Sequence, residues 1–576
     1  MDFLGTRARW VLAAIIVVGG WLRFDGLAWG APFHHFHIDE HFVFVGADLL
    51  RESMRKAAMN PKFFIYAPLP MYLVNVVRAV YEWVMGPLNL VNAADARTYM
   101  LMGRGLSAAL GTATIPVVYY IAKRVAGPMA GLLSAAFLAL SVLHLRDSHF
   151  FTVDISLVFF CMVTLAASLS IAEHGKKSAY IVAGLALGAS CLCKYTAVFL
   201  LPLIAVAHVC SPRRPRTLQP WQPWVRWALV GIMPVVTGTA LFLALDPMVF
   251  LYFAKFRYDV RTEITGPILG GLQPLWNAHF RDVHPQLYWF VNLLPWGVGP
   301  ALAFFGLAGI VWMLTRKNRL ALVAASYPIA YFLVAGQTVT PFIRYSIPLV
   351  PALAFGAGIL GADLLNRPRW RRPAMAAVAF TVIVTGGWAL AYTSIFRSAD
   401  VRLEAAQYLV DTVPKNASIL VEPSHNIPPT GQYLTASNFY ADYVGWGPDT
   451  VKTDYYALHT LDVYRYLYSG RITHQRKQEY IAERLARADY ILMDDTFLEF
   501  YAHLPDAEHR EVKQYYRDLF DGRLGFRMVR SFTRRPSIFG LEINDDSSEL
   551  TFTLFDHPEI YLFERVDQPR AGSRAD

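Results

Sequence analysis

The chain has 576 residues, of which 55% are hydrophobic and 17% charged, whereas a soluble globular chain carries about a quarter charged residues. This composition belongs to the membrane class. The net charge of +9 is uneven, with 32 Lys and Arg against 16 Asp and Glu in residues 1–396, and 21 against 28 in residues 397–576. Two parts in different surroundings are expected, and the absence of a Gly-rich phosphate loop or a basic recognition helix argues against a nucleic-acid partner.

Apolar runs near the length that crosses about 30 Å of hydrocarbon occur at 10–29, 97–121, 128–145, 151–172, 179–193, 195–210, 227–245, 288–314, 320–336, 342–365 and 374–396. They predict a polytopic α-helical membrane protein with about 11 transmembrane helices, followed by a soluble C-terminal α/β domain. Trp21, Arg23 and Trp29 interrupt the first run, which fits an interfacial anchor better than a cleaved signal peptide. With the N-terminus cytoplasmic, alternate short connections are basic: Arg7 and Arg9, Lys123-Arg124, Lys176-Lys177, Arg213–Arg216, Arg316–Arg319 and Arg369–Arg372. The positive-inside rule is thereby satisfied. An odd number of spans puts the tail on the extracytoplasmic side, together with the larger loops 31–96 and 246–287. The four cysteines, Cys161, Cys191, Cys193 and Cys210, all lie in apolar runs and read as small buried hydrophobes.

Beyond the first run comes Phe33-His-His-Phe-His-Ile-Asp-Glu-His-Phe42. Asp39 at this wet boundary is placed to act as a general base on a hydroxyl, with Glu40 beside it tuning the pair. The same residues also suit the start of an amphipathic helix over 40–58. His34, His35, His37 and His41 could hold a divalent metal, with His37 and His41 the nearest to the carboxylates. The second outer turn ends at Asp154, which opens another apolar run and suits either a helix cap or, with His149, a group that orients the acceptor for catalysis. Lys194 and Arg344 fall at the same outer boundary, where cations are placed for a lipid phosphate. Arg146, His149, Tyr195 and Tyr345 flank these positions as supporting candidates. The aromatic and basic loop 246–287 is placed to close over such a site.

In the tail, helical spacing over Val401–Val413 and Gln475–Arg487 alternates with strands at Ser418–Glu422 and Tyr490–Met493, as in a small three-layer sheet domain. Leu550–Phe555 and Ile560–Phe563 flank Asp556-His-Pro-Glu559 and read as a strand pair. Tyr455-Tyr456 and Tyr464–Tyr468 suit sugar stacking or a membrane surface.

Five stretches carry a resemblance: Ile38-Asp-Glu40; Arg104–Gly111 followed by Tyr119–Gly127; Arg146–Asp154; Gly188–Thr196; and Arg344-Tyr-Ser-Ile-Pro348. In this order they resemble the GT-C class of membrane glycosyltransferases, especially the dolichyl-phosphate-mannose protein mannosyltransferase family and the bacterial lipid A aminoarabinose transferases. The likeness runs through residues 1–360, and Asp556–Phe563 resembles the ending of bacterial members. The resemblance implies an inverting hexosyl- or pentosyltransferase with a polyprenyl-phosphate-linked sugar donor and a protein, lipid or glycan acceptor. Asp39 matches the catalytic acidic position, Asp154 the acidic residue of the second outer loop, and Lys194 and Arg344 the cations facing the carrier phosphate. The His-rich approach to Asp39 departs from the pattern and leaves metal dependence open. A transporter or flippase of lipid-linked sugars is the alternative. It is disfavoured because no internal repeat is visible and the candidate charges lie at the outer boundary.

Overall fold

The computed structural model describes residues 2–31, 33, 36–55, 64, 66–88, 96–217, 219–266, 274–422, 424–429, 450–452 and 456–566. Each predicted apolar run falls largely in helix. Among the described residues, five helices are long and apolar enough to cross a membrane: Arg97–Ala126, Val153–His174, Gln222–Leu245, Ile343–Leu365 and Arg371–Thr412. The expected single span over 288–314 is instead Pro285–Val298 and Pro300–Thr315, bent by 119°. Gly299 sits at the break with φ +83, a conformation that a side chain would strain. Pro128–Ala139, Lys177–Cys193, Tyr195–Val209 and Arg319–Ala335 are apolar but shorter.

Small residues let these helices pack closely. A Cβ on Gly309 would stand 1.9 Å from the Gly356 carbonyl oxygen, so the Pro300–Thr315 and Val350–Leu365 helices cross almost backbone to backbone. The mouth of the bundle is built from shorter pieces: helix Ile38–Arg55, helix Val142–Asp147, and the 3-10 turns Tyr195–Leu200 and Ile343–Leu349.

In the tail, β1 (Ser418–Val421), β2 (Thr450–Lys452), β3 (Ala457–Thr460), β4 (Tyr490–Asp494), β5 (Phe526–Phe532) and β8 (Ile560–Arg565) form a sheet in the order β2-β3-β1-β4-β8-β5. A separate ribbon pairs β6 (Ser537–Ile538) with β7 (Leu541–Glu542). β1 is parallel to β3 and β4, whereas β8 is antiparallel to β4 and β5. Alternate residues enter two cores. Leu420, Ile491, Met493 and Phe563 face helices 474–486, 495–502 and 506–520, while Ile419, Val421, Leu492 and Leu562 face helix 401–412. The three-layer expectation therefore holds.

Leu550–Thr553 is a helical turn rather than the expected strand, because Glu549 caps it by accepting from the Thr551 N–H at 3.0 Å. The tyrosines are packing residues. Tyr456 is buried and donates to the Leu409 carbonyl at 2.7 Å, and Tyr466 and Tyr480 lie 4.3 Å apart. Tyr455 lies outside the described residues. Bundle and tail interlock, with Phe552 of the tail in the bundle core and Leu275 of the long loop in the tail core.

Candidate active site at the mouth of the bundle

Asp39 and Glu40 occupy the first turn of helix Ile38–Arg55. Neighbouring residues on a helix do not share a face, and these two separate accordingly. Glu40 turns inward and is fully buried. Arg104 grips it with two hydrogen bonds of 2.8 Å, and the Phe151 N–H donates to it at 2.9 Å. Arg104 also donates to the Leu27 and Trp29 carbonyls. Glu40 thus ties three outer segments together, a bidentate buried pair with satisfied partners. Asp39 points the other way, accepting from the Tyr66 hydroxyl at 2.7 Å and forming an ion pair with Arg344.

Asp154 stands in the first turn of helix Val153–His174, but the capping side chain is Thr152, whose hydroxyl accepts from the Asp154 N–H. The Asp154 carboxylate is left to meet Lys194 at 3.1 Å. Lys194 is the extended residue between helix Lys177–Cys193 and the 3-10 turn that follows. This kink swings its ammonium to within 4.4 Å of the centre of the Tyr345 ring. The Arg344 guanidinium lies 5.4 Å from the same ring. Two ion pairs, Asp39–Arg344 and Asp154–Lys194, therefore meet at one aromatic ring, in contacts that stabilise cations through the ring face. The Tyr345 carbonyl accepts from the Tyr331 hydroxyl at 2.6 Å, which holds that turn.

The other sequence candidates divide. Arg146 is buried and bonds Asp147, Asp556 and the Thr551 carbonyl. The ring nitrogens of His149 lie 3.0 Å from the Leu145 and Asp25 carbonyls, and the ring stacks on Phe396 at 4.0 Å; burial pushes the imidazole down to about 4, so the neutral ring donates to one of the two carbonyls. Its ring nitrogens face away from the ion pairs, so it packs behind the site rather than supporting it directly. Tyr195 donates to Asp246 at 3.3 Å. His37 is buried 4.1 Å from Phe555, and burial followed by Arg344 keeps it well below the ordinary imidazole range. Such a nitrogen is neutral, as a metal ligand must be, but among the described residues no group of three His, Cys, Asp or Glu is arranged to hold a metal. His34 and His35 lie outside the described residues; His41 follows Glu40 on helix Ile38–Arg55.

Sequence reasoning passed over Tyr66, Arg104's grip on Glu40, and Asp147. Burial pushes Asp147 up to about 7, with Arg146 opposing and Asp154 adding to the shift. Tyr66 had no local signal, being 27 residues from its partner Asp39. Loops 31–96 and 246–287 also meet, because Asp259 accepts from the Phe64 N–H at 3.0 Å and Phe64 packs with Met248 and Val249.

The family model described as dolichyl-phosphate-mannose-protein mannosyltransferase matches residues 98–260, a stretch containing Arg104, Asp154 and Lys194. No curated protein matches the chain in sequence. Among solved structures, the Archaeoglobus fulgidus oligosaccharyltransferase in its apo form is similar at 12% identity and a TM-score of 0.51, over 97% of this chain and 88% of that one. The oligosaccharyltransferase AglB from the same organism, in complex with an inhibitory peptide and a dolichol-phosphate, gives 11% and 0.50 over 95% and 75%. ArnT from Cupriavidus metallidurans bound to undecaprenyl phosphate gives 14% and 0.47 over 97% and 98%. At these identities the likeness is one of fold: this is an integral membrane protein with the fold of the GT-C glycosyltransferases.

Proposed function

We propose that the protein is an inverting glycosyltransferase that moves a hexose or pentose from a polyprenyl-phosphate carrier to an acceptor hydroxyl on a protein, lipid or glycan. The observation that carries this reading is the meeting of the Asp39–Arg344 and Asp154–Lys194 pairs at Tyr345. The dolichol-phosphate held in the AglB complex supports a carrier of that class. Lys194 and Arg344 serve as the phosphate clamp, fixed before the substrate arrives. Arg344 retains a buried Nε without a hydrogen-bond partner among the described residues, a spare donor for a phosphate oxygen.

The transfer is a single displacement. The acceptor oxygen bonds to the anomeric carbon as the bond from that carbon to the phosphate oxygen breaks, and the electron pair leaves on the phosphate. Asp39 takes the acceptor proton, and the phosphate's competition for Arg344 frees its carboxylate to do so. Glu40 holds the helix that presents Asp39. Asp154 orients Lys194. No step is routed through a metal.

The alternating basic connections support an extracytoplasmic location for this mouth and the tail. Loop 246–287, pinned to loop 31–96 through Asp259 and Phe64, is the segment that would exclude water.

The test is Asp39→Asn in nanodiscs supplied with radiolabelled polyprenyl-phosphate sugars. Transfer should fall at least about a hundredfold, within the range for removing a general base, with donor binding retained. Unchanged transfer refutes the assignment of Asp39. Movement of sugar-lipid across vesicles without transfer by the wild type would establish the flippase alternative instead.

A further inference from the structure

One stretch of the tail, Asp545–His557, meets the segments that lead to both halves of this site: Ile343 before Arg344, and Arg146 in the short helix before Asp154. Glu549 is buried. It accepts the Ile343 N–H at 3.2 Å, lies 3.4 Å from His279 Nε2, and accepts from the Thr551 N–H. Ile343 directly precedes Arg344 and opens the 3-10 turn that carries Arg344 and Tyr345. Seven residues on, Asp556 is equally buried. It accepts from Arg146 Nε and from the Tyr392 hydroxyl at 2.8 Å each. Arg146 passes the connection to Asp147 at 2.8 Å and also donates to the Thr551 carbonyl at 2.7 Å. Asp147 ends the short helix before the turn that leads to Asp154. His557 closes the assembly by bridging Asp556 and Asp545.

Burying four carboxylates, an arginine and two histidines is costly unless each is paired. Here the pairing partners reach from the tail into the mouth of the bundle. A tail that only packed on the bundle would need apolar contacts such as Phe552 and nothing more. We infer that Glu549 and Asp556 are positioning residues, by which the tail sets the two cations of the phosphate clamp: Glu549 fixes the turn bearing Arg344, and Asp556 fixes Arg146 and through it the Asp147–Asp154 side facing Lys194. The inference rests on the clamp reading given above. It makes the C-terminal domain a working part of the active site rather than an appendage.

The test uses the full-length protein in nanodiscs, undecaprenyl phosphate as the probe and undecaprenol as the charge-free control. Glu549→Ala removes the acceptor for Ile343 and should weaken undecaprenyl phosphate binding about tenfold, with undecaprenol unaffected. Introduced into Arg344→Ala, the same change should add less than about twofold, because residues acting through one group are not additive. A role confined to stability would lower both lipids' binding and would add in full. Glu549→Gln keeps the volume but offers one acceptor oxygen, and about threefold weakening is expected; it decides the matter if the alanine variant does not fold. If the wild type prefers undecaprenyl phosphate but both variants bind it as the wild type does, this inference falls and the clamp stands. If the wild type shows no preference over undecaprenol, the clamp reading fails and takes the inference with it.

Discussion

His557 is fully enclosed, with Nε2 3.0 Å from Asp545 and Nδ1 on Asp556, and with Arg146 and Tyr392 on the far oxygen of Asp556. Burial alone pushes its imidazolium down, but the two carboxylates outweigh it and hold the group up at about 9 against an ordinary 6.5. A folded value raised above the unfolded one gives stability that is fully present below pH 6.5 and lost as pH rises through 9. The difference of about 2.5 units, at about 1.36 kcal/mol per unit, is on the order of 3 kcal/mol. Asp147, up at about 7, and Glu422, up at about 8, also lose stability with rising pH, over 3.8–7 and 4.5–8 respectively. The informative quantity is therefore the gap between wild type and His557→Gln, from which those two groups cancel. Thermal midpoints of nanodisc-embedded protein between pH 6 and pH 10 should show the variant well below the wild type at pH 6.5. The gap should close by about pH 9.5, as the wild-type charge is lost. A gap constant across the range would refute a protonated His557 between its two carboxylates.

Glu40→Gln breaks a buried bidentate pair and strands Arg104, a change that typically costs about 3–5 kcal/mol; the thermal midpoint should drop sharply, and protein that remains folded should still select undecaprenyl phosphate over undecaprenol. Lys194→Gln removes half of the proposed clamp. Its side chain is 28% exposed, so solvent screens much of the roughly 4 kcal/mol that a charge pair at about 4 Å would carry near a protein surface. Carrier-phosphate affinity should fall about tenfold, measured by binding of undecaprenyl phosphate, while undecaprenol binding stays level. Gly309→Leu places a branched side chain where a Cβ would already meet the Gly356 carbonyl, and the protein should fail to accumulate in the membrane. Gly105→Ala, where nothing stands within 4 Å, should accumulate normally in the same expression assay.

What was legible in the sequence follows from which forces are local. Apolar runs declare themselves because lipid and core impose the same composition, so each predicted run falls largely in helix. The break inside 288–314 was announced by Pro295, Gly297, Gly299 and Pro300, but Gly and Pro are often absorbed within a membrane helix. Asp39 and Glu40 looked like one unit because adjacency was all the sequence offered. Once the helix starts at Ile38, successive side chains diverge, and a partner 64 residues away claims Glu40. Leu550–Phe555 alternates like a strand, yet Glu549 and Arg146 bind that segment as a turn, and Arg146 is about 400 residues distant. Tyr456 and Tyr466 carried the composition of a sugar platform, but whether a tyrosine faces a ligand or a core is decided by neighbours that the local sequence does not contain.

The same reasoning explains why the four charges could be singled out while their pairing could not. Asp39, Asp154, Lys194 and Arg344 stood out singly, each as a charge at the end of an apolar run, where an unpaired charge is expensive. The fold answers that cost by cancelling the four charges in two pairs against one ring. An arriving phosphate adds negative charge beside cations whose existing partners are carboxylates, so one carboxylate must yield. Lys194 keeps Asp154 as its partner at the outset of a helix whose cap, Thr152, does not depend on that carboxylate. Asp39 has a second partner in the Tyr66 hydroxyl, a donor that can hold it in place after Arg344 turns to the phosphate. On the proposed mechanism the yielding carboxylate is therefore Asp39, and the event that binds the donor is the one that prepares the base.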